Sequence, residues 1–464
     1  MPHSSSIKLP STLPDLLAET VISLSSVPPS DSILTCPAST LAILSNRPAS
    51  LIQLAHEKIH SLPFSEVPEC WRRLFTDASI YEAVGIIRAE TERRGGDHGN
   101  WIGNSKKRKT GRDSDGEEAA TRDDGDDWIQ TVVKLLDMAI IMAGAPHREK
   151  MIGMLLLALE NLIQEQEGLE ERKRSKTNGV NDFFSENIKN APNIRYPIPK
   201  SSALSALAFE AFLEEARPLI IQGALEHWPA LRDRPWKSLR YLMERTLGGR
   251  RLIPVEVGRS YTDEGWGQKI ITFGEFVDEY LIKESNEGEE DTRSNTGYLA
   301  QHNLFAQVPS LRADISIPDY CFTDPPPPAS GTPLTLKEPQ PKLEEPLLNA
   351  WFGPAGTISP LHTDPYHNIL CQVVGKKYVR LYDPHETGKL YPKDVEEGGV
   401  DMSNTSEVDV EGNAKEREAT FPLFNKARYV ETILSEGECL YIPVGWWHYV
   451  RSLTVSFSVS FWWN

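Results

Sequence analysis

Three side chains late in this 464-residue chain could together hold a metal: His362 and Asp364 in SPLHTDPYHN, and His448 in IPVGWWHYV. Two imidazoles and one carboxylate make a 2-His-1-carboxylate set, which leaves coordination positions open for a cosubstrate and O2. The set suits Fe(II), and Mn or Zn fits the same donors. An H-x-D pair alone arises often by chance, so its weight depends on its surroundings. On a strand, alternation places His362 and Asp364 on one face. His448 must then arrive from a neighbouring strand as a barrel closes. Asn368, Leu370 and Gln372 continue that face, a tight turn follows at Gly375-Lys376, and Lys377 opens the next strand. An inward Lys377 would bury its ammonium and need an anion. A dicarboxylate cosubstrate supplies one. His367 has the opposite parity and His385 follows Asp383-Pro384, so both are expected at the surface or behind the site.

Short strands are needed to position these groups, and they are expected at 357–363, 367–374, 377–382, 429–433, 438–442, 447–452 and 455–462. Many short strands broken by Gly and Pro point to a jelly roll or double-stranded β-helix. Upstream, 203–215 and TFGEFVDEYLIKE read as helices, while RRLIPVEVG, TGYLAQHNL and the start of PLIIQGALEHWPAL read as strands. Residues 324–346 form a proline-rich surface loop, and 393–420 an acidic insertion expected to be exposed. Before them, 13–170 carries apolar residues at helical spacing, interrupted at about 95–127 by a Gly-, Asp- and Lys-rich run expected to be disordered. The fold class is therefore α+β in two domains: an all-helical domain over 1–170, a linker at 171–194, and a jelly-roll domain with flanking helices over 195–464.

The formal net charge of −17 argues against general or sequence-specific nucleic-acid binding and is compatible with a basic protein or peptide partner. Five scattered cysteines without C-x-x-C spacing suit a reduced compartment. No secretory signal is expected, and no apolar run reaches membrane-spanning length. Lys106-Lys107-Arg108-Lys109 is a basic cluster of the nuclear-import type, equally readable as a solvated charge run. A nuclear location is expected, with a cytoplasmic pool allowed.

The stretches NAWFGPAGTISPLHTD, GKKY and IPVGWWHYVRSL…SFSVSFWW closely resemble the jumonji-C oxygenases, and among them the group of jumonji-domain-containing protein 5 (lysine demethylase 8). The likeness continues through YTDEGWGQ, YLAQHNLF and DISIPDYC and covers residues 195–464, while the first half is similar only in being helical. It implies Fe(II) held by His362, Asp364 and His448, with O2 and 2-oxoglutarate as cosubstrates. Lys377 would pair with the distal carboxylate of 2-oxoglutarate, aided by Tyr298, Ser359 and Asn368. Glu256, Tyr261, Trp266 and Trp351 would line the mouth. An acid between aromatic walls suits a guanidinium or a methylammonium, although a single tryptophan is more often packing. The proline-rich loop and the acidic insertion depart from the family pattern and bear on substrate access. The resemblance implies protein hydroxylation, with arginyl C3-hydroxylation fitting best. The rival is histone methyl-lysine demethylation with a chromatin role, which uses the same iron chemistry on a different C–H bond. A third reading is a non-catalytic scaffold, which loss of a ligand or of Lys377 would have favoured.

Overall fold

The computed structural model describes residues 12–63, 66–94, 128–171, 184, 188, 191–202, 204–258, 262, 265–282, 296–395 and 401–464, with backbone alone at 94 and 165–171. The expected disorder at 95–127, the basic cluster at 106–109, most of the 171–194 linker, and Tyr261 lie outside these residues. Two compact units result: Met1–Gly179 with Arg250–Leu252, and Val180–Gly249 with Ile253–Asn464.

The first unit is helical, with its main helices at Leu13–Ser25, Pro48–His60, Glu69–Arg94, Trp128–Ala143 and Glu149–Glu171. Thr12 starts the first of them by accepting a hydrogen bond from the Asp15 amide, with Pro14 in the first turn. Leu51, Ala55 and Ile59 recur every four residues along Pro48–His60 and bury against Leu74, Phe75 and Ala78. Hydrophobic periodicity gives no sign of the ion network beside them. Arg73 donates to both oxygens of Asp31 at 3.1 and 2.9 Å and to Asp77 at 2.5 Å. Arg148 donates to the two oxygens of Asp77 at 2.9 and 3.2 Å. Arg73 and Asp77 are fully buried. Two carboxylates balance two guanidiniums, so deleting one acid leaves a buried cation uncompensated. Asp77→Ala is expected to destabilise this unit by about 3–5 kcal/mol, read as a lowered denaturant midpoint.

Among the described residues, the second unit is built on thirteen strands. They are β1 (Lys200–Ser202), β2 (Leu219–Gln222), β3 (Leu252–Val257), β4 (Gly267–Thr272), β5 (Gly297–His302), β6 (Leu347–Gly353) and β7 (Ile358–His362). After these come β8 (His367–Val374), β9 (Lys377–Tyr382), β10 (Tyr429–Leu434), β11 (Cys439–Ile442), β12 (Trp447–Ser452) and β13 (Ser456–Trp463). The larger sheet runs β1-β2-β11-β8-β13-β6-β5-β3-β4 and the smaller β10-β9-β12-β7. Among the described residues this is the expected β-sandwich with flanking helices. Its core stacks Phe352 on Phe457 at 4.7 Å, with Trp236 against Phe457 at 4.6 Å. The serines that alternate along β13 are buried too, and they are satisfied within the sheet. Ser458 donates to Gln372 Oε1 at 2.7 Å, and Gln372 Nε2 donates to Ser456 Oγ at 2.8 Å.

The turn between β8 and β9 sets where Lys377 begins. Gly375 has φ +72°, and a Cβ there would stand 2.0 Å from the Val455 carbonyl oxygen. Only glycine fits.

Two expectations change. TFGEFVDEYLIKE is a short α-helix, Phe273–Phe276, followed by a π-helical turn, Val277–Ile282, whose wider pitch buries Val277, Tyr280 and Leu281 together. The acidic insertion is not simply exposed. Val408 and Val410 join the core cluster of Leu361, Tyr378 and Tyr449, and Glu411 accepts a hydrogen bond from the Tyr449 hydroxyl at 2.6 Å.

Candidate metal centre

His362 is the last residue of β7, and His448 is the second residue of β12; the two are register partners on paired strands. Asp364 lies beyond the end of β7, so loop curvature, not strand alternation, turns its carboxylate back toward the histidines. Donor atoms of the three residues all lie within 4.8 Å of one another. Asp364 Oδ1 is 3.7 Å from His362 Nε2, and Oδ2 is 3.4 Å from His448 Nε2.

Both imidazoles are set up as ligands by their outer nitrogens. His362 Nδ1 donates to the Pro360 carbonyl at 2.7 Å, and His448 Nδ1 donates to the Trp446 carbonyl at 3.0 Å. A proton held on Nδ1 leaves the Nε2 lone pair free and fixes the ring plane. Burial, with His448 close by, pushes His362 down to about 4, so it is neutral at pH 7. Burial also pushes His448 down, but the Asp364 carboxylate outweighs it and holds His448 above its usual value. Burial alone would raise Asp364, yet His448 and His362 hold it below the ordinary carboxylate range. His362 is thus neutral as a ligand must be, while a metal ion competes with a proton for His448 Nε2.

The acidic insertion supports this geometry, which the sequence reading missed. The Ser406 amide donates to the Leu361 carbonyl and the Thr363 amide to the Asn404 carbonyl, each at 2.8 Å, bracketing His362. The alternation of Val408 and Val410 within an acidic run was the one available signal.

Behind the histidines lies a narrow pocket lined by Tyr298, Ser359, Asn368, Lys377 and Trp351 together with the three donors. Lys377 is 1% exposed, and its ammonium donates to the Tyr298 hydroxyl at 3.2 Å. No carboxylate among the described residues pairs with it, and burial pushes it down to about 7. Asn368 donates to Asp364 and leaves its own Oδ1 buried without a partner. A cation and a hydroxyl converge there as donors for a small polar anion, while the orphaned Asn368 amide oxygen can only accept. The free volume is about 30 Å³, enough for a water or two. A five-carbon diacid therefore enters only as lining side chains turn aside.

Of the expected mouth residues, the three that are described separate. Trp351 lies in the inner pocket, with its indole N–H bonded to Ser460 Oγ at 2.9 Å. Glu256 on β3 and Trp266 line neither that pocket nor the outer groove; Glu256 is the register partner of Tyr298, so it stands beside the site. Burial raises Glu256 above the usual carboxylate range, partly offset by the Trp266 indole N–H at 3.4 Å. Among the described residues no cation pairs with it. His367, expected at the surface or behind the site, is 3% exposed. It bonds the Tyr441 hydroxyl at 2.9 Å and the Pro326 carbonyl at 3.2 Å, so it anchors the proline-rich loop. That loop walls a groove of about 820 Å³ that reaches Asp364, with Asn404 and Trp447 on the far side. His385 is exposed beside Asp383, as expected.

A family model described as "Cupin-like domain" matches residues 205–464. Lysine-specific demethylase 8 of Danio rerio is 35% identical over 433 residues, covering 92% of this chain and 88% of the relative. Lysine-specific demethylase JMJ30 of Arabidopsis thaliana is 32% identical over 487 residues, covering 99% and 95%. Jumonji C domain-containing protein 5 of Drosophila melanogaster is 40% identical over 268 residues, covering 58% and 60%. The chain belongs to the cupin-like jumonji-C family. It is thus a 2-oxoglutarate-dependent dioxygenase by family, and the jumonji-C family is in general dependent on Fe(II) and 2-oxoglutarate.

Proposed function

We propose that the chain is a protein hydroxylase acting on a basic side chain, with arginyl C3-hydroxylation as its reaction. His362, Asp364 and His448 would hold Fe(II), and Lys377, Tyr298, Ser359 and Asn368 would hold 2-oxoglutarate. When bound, the pair supplies oxygen activation coupled to loss of CO2 from 2-oxoglutarate. The chain's own part is orientation and charge matching. The Nδ1 hydrogen bonds aim both imidazoles, and the Lys377 ammonium answers the distal carboxylate. Asp364 lines the outer groove of about 820 Å³, the approach by which a peptide would reach the site.

One observation carries the substrate class: Glu256 is a part-buried carboxylate beside Tyr298 with the Trp266 indole as its hydrogen-bond partner and no cation paired to it among the described residues. A buried acid is costly until a cation meets it, and a guanidinium gives two parallel hydrogen bonds to a carboxylate. Demethylation is a second reading, favoured by the names of the Danio and Arabidopsis relatives. Peptides bearing arginine or methyl-lysine, including histone-tail sequences, incubated with enzyme, Fe(II), 2-oxoglutarate and O2, separate the two by mass spectrometry. One added oxygen on arginine is expected. Loss of a methyl group from lysine, with arginine unchanged, would overturn the hydroxylase reading. The basic cluster at 106–109 makes the nucleus the proposed site of action.

The role given to Lys377 has a pH signature. With its pKa near 7, Lys377 carries its charge below that pH and loses it above. A diacid binds the charged form, so its Kd should rise by up to about tenfold per pH unit above 7. Calorimetric titration of 2-oxoglutarate from pH 6.5 to 8.5 checks this, and Lys377→Met should bind weakly with no such slope.

A further inference from the structure

On the outer side of the smaller sheet a second cavity of about 560 Å³ opens among Arg195, Arg380, Arg417 and Glu431. It shares no lining residue with the metal centre, the inner pocket or the groove. Its walls are Tyr196, Tyr382 and Tyr429, with ring centroids 5.2 Å apart for Tyr196–Tyr429 and 5.7 Å for Tyr382–Tyr429.

Three guanidiniums meet one carboxylate there, and that carboxylate is already engaged. Glu431 Oε1 accepts the Arg195 backbone amide at 2.7 Å, and Oε2 accepts the Tyr378 hydroxyl. Arg380 gives Nε to the Tyr378 oxygen at 2.7 Å, reaches Glu431 only at 3.5 Å, and lies over the Tyr429 ring at 4.4 Å. Arg417 spends Nη1 on the carbonyls of Asp409, Val410 and Gly412, while its Nε is buried without a partner. The Arg195 side chain has no acceptor among the described residues. The cavity therefore holds about two positive charges in excess, in a chain whose net charge is −17. Charges elsewhere on the surface are screened beyond about 8 Å at physiological salt, so the local excess governs what binds.

We propose that this cavity binds a small ligand joining a planar ring to a phosphate monoester, the chemistry of a mononucleotide. Guanidiniums match phosphate oxygens in paired hydrogen bonds, and tyrosine faces receive a ring. The volume lies within the usual range for small-ligand sites, about 300–1,000 Å³. A bare anion would use the arginines and leave the aromatic walls idle; an uncharged ring would do the reverse.

The test is calorimetric titration of the full chain with adenosine monophosphate, adenosine and inorganic phosphate, at two salt concentrations. Adenosine monophosphate should bind at least about tenfold more tightly than either fragment, and more weakly at higher salt. Arg195→Gln touches an exposed side chain with no partner among the described residues, so it should leave the fold and peptide oxidation unchanged while weakening the nucleotide about tenfold or more. Equal affinities for nucleotide and adenosine, no binding of the nucleotide, or an unaltered affinity in Arg195→Gln would each overturn the proposal. If inorganic phosphate binds as well as the nucleotide, the aromatic half of the site is wrong.

Discussion

The His362→Ala chain is expected to lose 2-oxoglutarate turnover and the capacity to retain iron. His362 offers Nε2 to the same point as His448 Nε2 and an Asp364 oxygen, within a cluster less than 4.8 Å across. Two remaining donors hold a divalent ion far more weakly than three. Loss of an outer-shell partner alone costs about 10- to 100-fold in affinity or activity, and loss of a ligand should exceed that. Metal content after reconstitution and succinate release together measure the effect. Thermal unfolding adds a readout that activity does not supply. A site that binds only the folded chain stabilises it by about 2.7 kcal/mol at a hundredfold excess over Kd. The native chain should show that rise with Fe(II), and His362→Ala should not. Because the readout is a difference with and without metal, any packing defect cancels. Undiminished turnover in the reconstituted variant would sink the site assignment.

Glu256→Gln is the second large effect, and its two consequences run in opposite directions. Glutamine keeps the shape and removes the charge. A carboxylate whose pKa is raised in the folded state binds more protons there than in the unfolded chain. Its contribution is most favourable below the unfolded value of 4.5 and is lost as pH rises through the folded one. At pH 7.5 the variant should therefore melt higher than the native chain, and the gap should close toward pH 4. Oxidation of an arginine peptide should fall instead. Truncating one side of a buried charge pair costs about 2–5 kcal/mol, or roughly 30- to 5,000-fold in kcat/KM. Turnover of 2-oxoglutarate without peptide should persist, which separates this variant from His362→Ala. A variant both less stable and fully active on arginine would remove Glu256 from substrate recognition.

Much of the frame was legible because period-two alternation and Gly or Pro breaks are local signals. β8, β9 and β12 fall where the pattern places them, since their neighbours along the chain already dictate burial. The proposed metal donors rested on a combination: an H-x-D pair, common by chance alone, together with a distant histidine and the inward Lys377. The inward turn of Lys377 was readable from parity after the glycine turn. What failed were contacts between distant segments. His367 has the parity of a residue facing away from the metal, yet facing away meant facing Tyr441 and the proline-rich loop. The acidic insertion looked soluble by composition, but Val408 and Val410 bury while its backbone brackets β7.

By itself the sequence determined the strand order along the chain and the family, and it supplied the residues proposed as metal ligands, because these depend on residue types and short-range spacing. Only the tertiary structure decided that Asp364 closes the triad from a loop, that Glu256 stands beside Tyr298 with no cation paired to it among the described residues, and that three arginines from separate segments share one cavity. Such juxtapositions arise when chain closure brings together residues up to hundreds of positions apart. No local pattern encodes which of them will meet.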